Sequence, residues 1–146
     1  MNRAVLEGRK SVNSALRVGA VVLDSSVKMI AGGFNYTISG GYNFLEKHTD
    51  IVHPFSEVGY PFDIHAEQAA LFGVAKKRIG GGSVFSTVFP CVECTKFIVH
   101  SGIKNVYYFR DENDDGLFTE WTASFVNSRA LMVANNINFE RVVPTV

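Results

Sequence analysis

Two cysteines, no apolar run of membrane-spanning length and no net charge are the first constraints this chain sets. With only Cys91 and Cys94, a structural zinc site of three or four cysteine ligands cannot be built within it. No stretch approaches the roughly 20 apolar residues needed to cross a bilayer. The opening MNRAVLEGRKS carries charges where a signal peptide would place its apolar segment. A cytoplasmic protein without membrane contact is therefore expected, and two thiols kept for a metal suit a reducing compartment. The 14 basic and 14 acidic residues cancel, so no strongly basic face for a long nucleic acid is evident and a small ligand is favoured. Internal repeats and low-complexity tracts are lacking too.

What is present is a chain of 146 residues, 47% hydrophobic and 19% charged, which suits one globular domain over 1–146. Its chemistry concentrates in two short motifs: His65-Ala66-Glu67, then Pro90-Cys91-Val92-Glu93-Cys94. Two cysteines at i and i+3 on the first turn of a helix point to one side and can grip one metal ion. His65 at the entry of a second helix supplies a third ligand. Four protein ligands close a zinc site, whereas three leave a position for water. The residue set therefore favours a catalytic Zn2+, one per chain. Two thiolates neutralise most of the metal charge, so a carboxylate must take the proton of an activated water. Glu67 is the candidate; Glu93, inside the CxxC, is a weaker one. One histidine, two cysteines and a separate glutamate form the set that hydrolyses an amino group from a nucleobase.

Other readings fare less well. A redox CxxC has no thioredoxin-like context here. His48 and His53 could close a Cys2His2 site in principle, but they precede the cysteines at a spacing far from that of a zinc finger. Asp111-Glu112-Asn113-Asp114-Asp115-Gly116 opens like a calcium loop, yet Thr122 stands where the twelfth-position glutamate belongs. His100 reads as a surface residue. Phe89 and Tyr108 could wall a base, with core packing as the plainer role. For a phosphate the cations are Lys10, with Ser11, and the cluster Lys76, Lys77 and Arg78.

The patterning predicts helices over 2–14, 66–78, 91–101 and 117–135. Strands are expected over 17–24, 27–34, 83–89, 104–110 and 137–142, the first two joined by a tight Ser25-Ser26 turn. Residues 35–64 form a long connection. The alternation implies an α/β fold with helices on both faces, the first two strands antiparallel and the later ones parallel.

These motifs carry a resemblance to a known family. Thr87-Val88-Phe89-Pro90-Cys91-Val92-Glu93-Cys94, Lys96 through Lys104, Val18-Gly19-Ala20, Gly33-Phe34-Asn35 and Tyr60-Pro61-Phe62 are similar to segments of the cytidine deaminase superfamily, most closely its deoxycytidylate deaminases. The resemblance implies a three-layer α/β/α cytidine deaminase-like fold with a mixed five-stranded sheet. It implies His65, Cys91 and Cys94 as zinc ligands and Glu67 as proton shuttle. It implies Asn35 and the Ala66 amide as nucleotide contacts, dCMP as substrate, and a homo-oligomer, with a hexamer favoured. It also implies dCTP and dTTP as effectors. The chain departs from the family pattern at Ala69, usually Asn, at Lys10, where Arg is common, and across Tyr36-Thr37-Ile38-Ser39-Gly40-Gly41. Deamination of a related substrate (dCTP, a modified dCMP, cytidine or a tRNA base) and a non-catalytic regulatory subunit are the alternatives.

Overall fold

The computed structural model describes residues 1–13, 16–38, 63–114, 116 and 118–145. His48, His53, Tyr60-Pro61-Phe62 and most of the 35–64 connection lie outside them. In chain order the elements are α1 (Asn2–Gly8), β1 (Gly19–Leu23), β2 (Met29–Phe34), β3 (Tyr36–Thr37), β4 (Asp63–Ile64), α2 (Ala66–Leu71) and α3 (Lys76–Ile79). They continue with β5 (Ser83–Val88), α4 (Val92–Ser101), β6 (Asn105–Arg110), a 3-10 turn (Thr119–Trp121), α5 (Thr122–Ala134) and β7 (Asn138–Arg141).

Five strands form one mixed sheet in the order β2-β1-β5-β6-β7. β1 runs antiparallel to both β2 and β5, while β5, β6 and β7 are parallel. A Cβ on Gly32 would strike Glu7 of α1, and one on Gly33 would strike Ala66 and Ala70 of α2. Successive strand residues face opposite sides, so α1 and α2 cover opposite faces, as expected. The layers are unequal. The main core, with Ala66, Ala70, Ile79, Ile98, Phe125 and Met132, gathers α2 to α5 on one face. α1 is the one described helix on the other, where Phe85 and Tyr107 stack at 4.5 Å. Phe125 and Met132 of α5 are 1% and 0% exposed, and each such burial contributes about 1.5–3 kcal/mol.

Four expectations are corrected. The first helix stops at Gly8, because side chains beyond it capture the backbone: Ser11 Oγ accepts from Asn13 N at 3.2 Å and Asn13 Oδ1 from Leu16 N at 3.0 Å. The helix expected over 66–78 breaks into α2 and α3, with Gly73, a poor helix former, between them. The helix expected from residue 117 begins at Thr122, after the 3-10 turn. The hairpin turn is wider than Ser25-Ser26. It runs from Asp24 to Lys28, with Asp24 Oδ1 accepting from Ser26 N and Lys28 N at 2.9 and 3.0 Å. Val27 there sits at φ 65°. The CxxC helix closes on Gly102 at φ 80°, a left-handed geometry that glycine adopts without steric cost.

Candidate metal and active site

The site is built where two helices begin. His65 is the N-cap of α2, and its backbone N–H donates to Gln68 Oε1 at 3.0 Å. Cys91 is the N-cap of α4, and its Sγ accepts from Cys94 N at 3.5 Å. Each helix start offers partial positive charge to an anion or thiolate. Cys91 follows β5, at the carboxyl end of the parallel strands, where open α/β sheets bind their ligands.

His65 Nδ1 lies 3.5 Å from Cys91 Sγ and 3.3 Å from Cys94 Sγ. One ligand atom from each of the three residues lies within 4.8 Å of the others. Zinc–nitrogen and zinc–sulfur bonds of about 2.0–2.3 Å in a tetrahedron set ligand edges of roughly 3.5–3.8 Å, so the residues fit the ion. Electrostatics agree. Hydrogen bonding from Cys94 is the largest effect pulling the Cys91 thiol down to about 4. The same contact, with burial and the Glu67 carboxylate, pushes Cys94 well above its ordinary value. The two thiols oppose joint ionisation, and a divalent cation between them removes that conflict.

Glu67, on the first turn of α2, is 4% exposed. Its Oε1 accepts from Ser86 Oγ at 2.8 Å and its Oε2 lies 3.4 Å from Cys94 Sγ. Burial, then the Cys91 charge, raises its pKa, while His65 and the Ser86 bond oppose the rise. A carboxyl raised in this way suits proton exchange better than an exposed one does. Ser86 points at Glu67 because it shares the inward face of β5 with Val84 and Val88. A lone polar residue at an inward strand position was the sequence signal for it. Glu93 points away, pairing with Lys96 at 2.7 Å.

The remaining candidates divide. Ala66 is fully buried at the first position of α2, where a backbone N–H has no partner within the helix. Asn35 precedes β3, whose Tyr36 pairs with Ile64, the residue before His65. Its side chain ties down the segment before β1, accepting from Val18 N and donating to Leu16 O, both at 2.8 Å. Ser11 is buried and donates to Asn35 O at 2.8 Å. Lys10 is exposed and paired with Glu7 at 2.6 Å. Phe89 lies inside the core, 1% exposed, edge-on to Tyr108, Phe125 and Phe139 and with the Arg129 guanidinium 4.6 Å from its ring centre. Tyr108 is half-buried against it. Lys76, Lys77 and Arg78 form an exposed turn of their own in α3. His100 is exposed at the end of α4. In the acidic 111–116 turn, Asp111 Oδ1 and Asp114 Oδ2 accept backbone N–H groups and Arg141 pairs with Asp114 at 2.6 Å, so these carboxylates serve the turn.

Two residues on α5 and its lead-in turn went unforeseen. Ser124 Oγ accepts the Val92 N–H at 2.9 Å, fastening α5 to the residue after Cys91. The Trp121 ring centre lies 6.0 Å from that of His65. No helix among the described residues is long and apolar enough to cross a membrane.

The geometry has counterparts among known proteins. A model of the cytidine and deoxycytidylate deaminase zinc-binding region matches residues 1–110. The deoxycytidylate deaminase of Homo sapiens is 28% identical over 141 residues, spanning 97% of this chain and 76% of that protein. A probable deoxycytidylate deaminase of Drosophila melanogaster is 26% identical over 156 residues, spanning 99% and 70%. The crystal structure of dCMP deaminase from cyanophage S-TIM5 in complex with dCMP and dUMP superposes with a TM-score of 0.68 at 26% identity, covering 97% of this chain and 92% of that one. A match over three-quarters of the sequence, with three residues able to hold a metal ion at two helix starts, places the chain in the cytidine and deoxycytidylate deaminase family.

Proposed function

We infer that the protein is a zinc-dependent hydrolase that converts dCMP to dUMP and ammonia, supplying dUMP for thymidylate synthesis. The observation that carries this is the Glu67 carboxylate, buried and 3.4 Å from Cys94 Sγ, beside a ligand set of one histidine and two cysteines. The similarity to dCMP deaminases, one of them in complex with dCMP and dUMP, supports the substrate.

His65, Cys91 and Cys94 would hold the ion. When bound, zinc supplies a Lewis acid that acidifies water. Glu67 takes the proton that water loses and delivers one to the ring nitrogen next to the amino-bearing carbon. As the ring nitrogen is protonated, the water oxygen bonds to that carbon; Glu67 then takes the second proton from this oxygen and passes it to the amino group, so that the C–N bond breaks, ammonia leaves and the carbon keeps the oxygen as a carbonyl. Ser86 holds Glu67 in register through its 2.8 Å bond. The Ala66 N–H, at the start of α2, would read the edge of the base. Asn35 would face the nucleotide, and Ser11 fixes the backbone carbonyl of Asn35. Lys10 would have to leave Glu7 to meet a phosphate.

Exposed Phe72, Val126 and Val133 support self-association; light scattering giving a monomer would remove the hexamer. The test of function is ammonia release from zinc-loaded protein with dCMP, dCTP, deoxycytidine, CMP and cytidine, each with and without dCTP or dTTP as effector. Preference for dCMP is expected. Preference for another member of the panel reassigns the substrate, and silence on all of them favours a binding role.

A further inference from the structure

Trp121 is the one tryptophan of the chain, and it stands beside a metal-ligating residue. It ends the 3-10 turn that leads into α5. Its indole approaches the His65 ring at 6.0 Å between centres, tilted by 59°. Its inner side stacks on Phe125 at 6.2 Å and 26°. Phe125 is 1% exposed, whereas Trp121 is only half-buried, so part of the residue remains accessible. One turn on, Ser124 binds the Val92 amide at 2.9 Å, which fixes the start of α5 against the CxxC turn.

A base cannot slide between Trp121 and His65. Two stacking contacts need roughly 7–8 Å between the outer rings, and 6.0 Å is available. An indole placed beside His65 can instead border the site on one side. Bases and aromatic rings pack through their faces whatever the base.

We propose that Trp121 walls the nucleotide pocket on the side of His65 and packs against the pyrimidine ring of the substrate. The inference rests on the reading of the site as a pyrimidine-nucleotide deaminase. Trp121 is on this account a specificity residue that touches the substrate, and only secondarily a support for His65.

The single tryptophan makes the test direct. Zinc-loaded wild-type protein is titrated with dUMP while its intrinsic emission is recorded. A saturable change is expected, with a midpoint matching the concentration at which dUMP inhibits turnover. Trp121→Ala should raise KM for dCMP roughly ten- to hundredfold with little loss of kcat and with zinc content unchanged. Trp121→Phe should recover most of the KM. No emission change at inhibitory dUMP would overturn the proposal. So would a Trp121→Ala enzyme that loses zinc or kcat at unchanged KM, since that pattern means the indole merely steadies His65. A wild-type protein that releases no ammonia from dCMP defeats the activity reading instead, and the emission titration, which needs no turnover, separates the two failures.

Discussion

Arg129 is the residue whose loss the structure prices most clearly. From α5 it donates to both oxygens of Glu112, at 2.6 and 2.9 Å. It also lies 3.8 Å from Asp111 Oδ2 and 4.6 Å over the Phe89 ring. The pair is largely sheltered, the side chains being 26% and 15% exposed. Arg129→Met keeps much of the packing but removes the charge and the fork. It leaves Glu112 without its partner and Asp111, 5% exposed, beside no cation from α5. Hydrogen bonds to charged groups contribute about 1.5–3 kcal/mol, and stranding one partner of a sheltered pair costs more than the net value of the pair. A loss of about 2–4 kcal/mol is expected, or roughly 7–14 °C in Tm for a domain of this size. The pH dependence has a definite sign. Hydrogen bonding from Arg129 holds the Glu112 carboxyl below its ordinary value. That stabilisation is complete above about pH 4.3 and drains away as pH falls through the depressed folded value. Thermal melts of wild type and variant should therefore differ most near pH 7 and converge in acid. Because Phe89 leads directly into Pro90-Cys91, zinc affinity should weaken as well. A variant that melts within about 2 °C of wild type at pH 7 would refute this assignment of the pair.

Three further outcomes are expected. Glu67→Gln should keep zinc and fold but lose about 10²–10⁴-fold or more in kcat for want of a proton carrier; near-normal turnover would remove Glu67 from the mechanism. Gly33→Ala would set a Cβ 2.5 Å from Ala70 N and 2.6 Å from Ala66 O. α2 must then shift, costing about 1–3 kcal/mol in a urea melt and lowering kcat/KM, because that helix carries His65 and Glu67; unchanged activity would mean that α2 tolerates the displacement. Cys91→Ser should lose zinc by metal analysis, and full occupancy would count against Cys91 as a ligand.

The clustering of His65, Cys91 and Cys94 beside Glu67 was legible because each motif encodes its own local geometry: a cap residue, a helix start and one turn of spacing. The strands were legible for the same reason, since short runs rich in Val, Thr, Phe and Tyr, as in 83–88 and 105–110, report on near neighbours. What the sequence hid depends on distant contacts. The Ser86 hydroxyl gains its meaning only from α2, and Ser124 and Trp121 only from the docking of α5 on the CxxC turn. Phe89 left two readings open, a pocket wall or the plainer role in the core, and its burial against Phe125 and Phe139 matches the second. The break after Leu71 was signalled by Gly73, and the helical periodicity on either side of it masked the signal.

The most direct test of the account is dCMP turnover followed as zinc is stripped and then restored to one chain preparation. Three ligands and one shuttle predict that conversion to dUMP falls with zinc and returns in proportion to added zinc, saturating at about one ion per chain. Deamination that persists in zinc-free protein, or none at full occupancy, would contradict it.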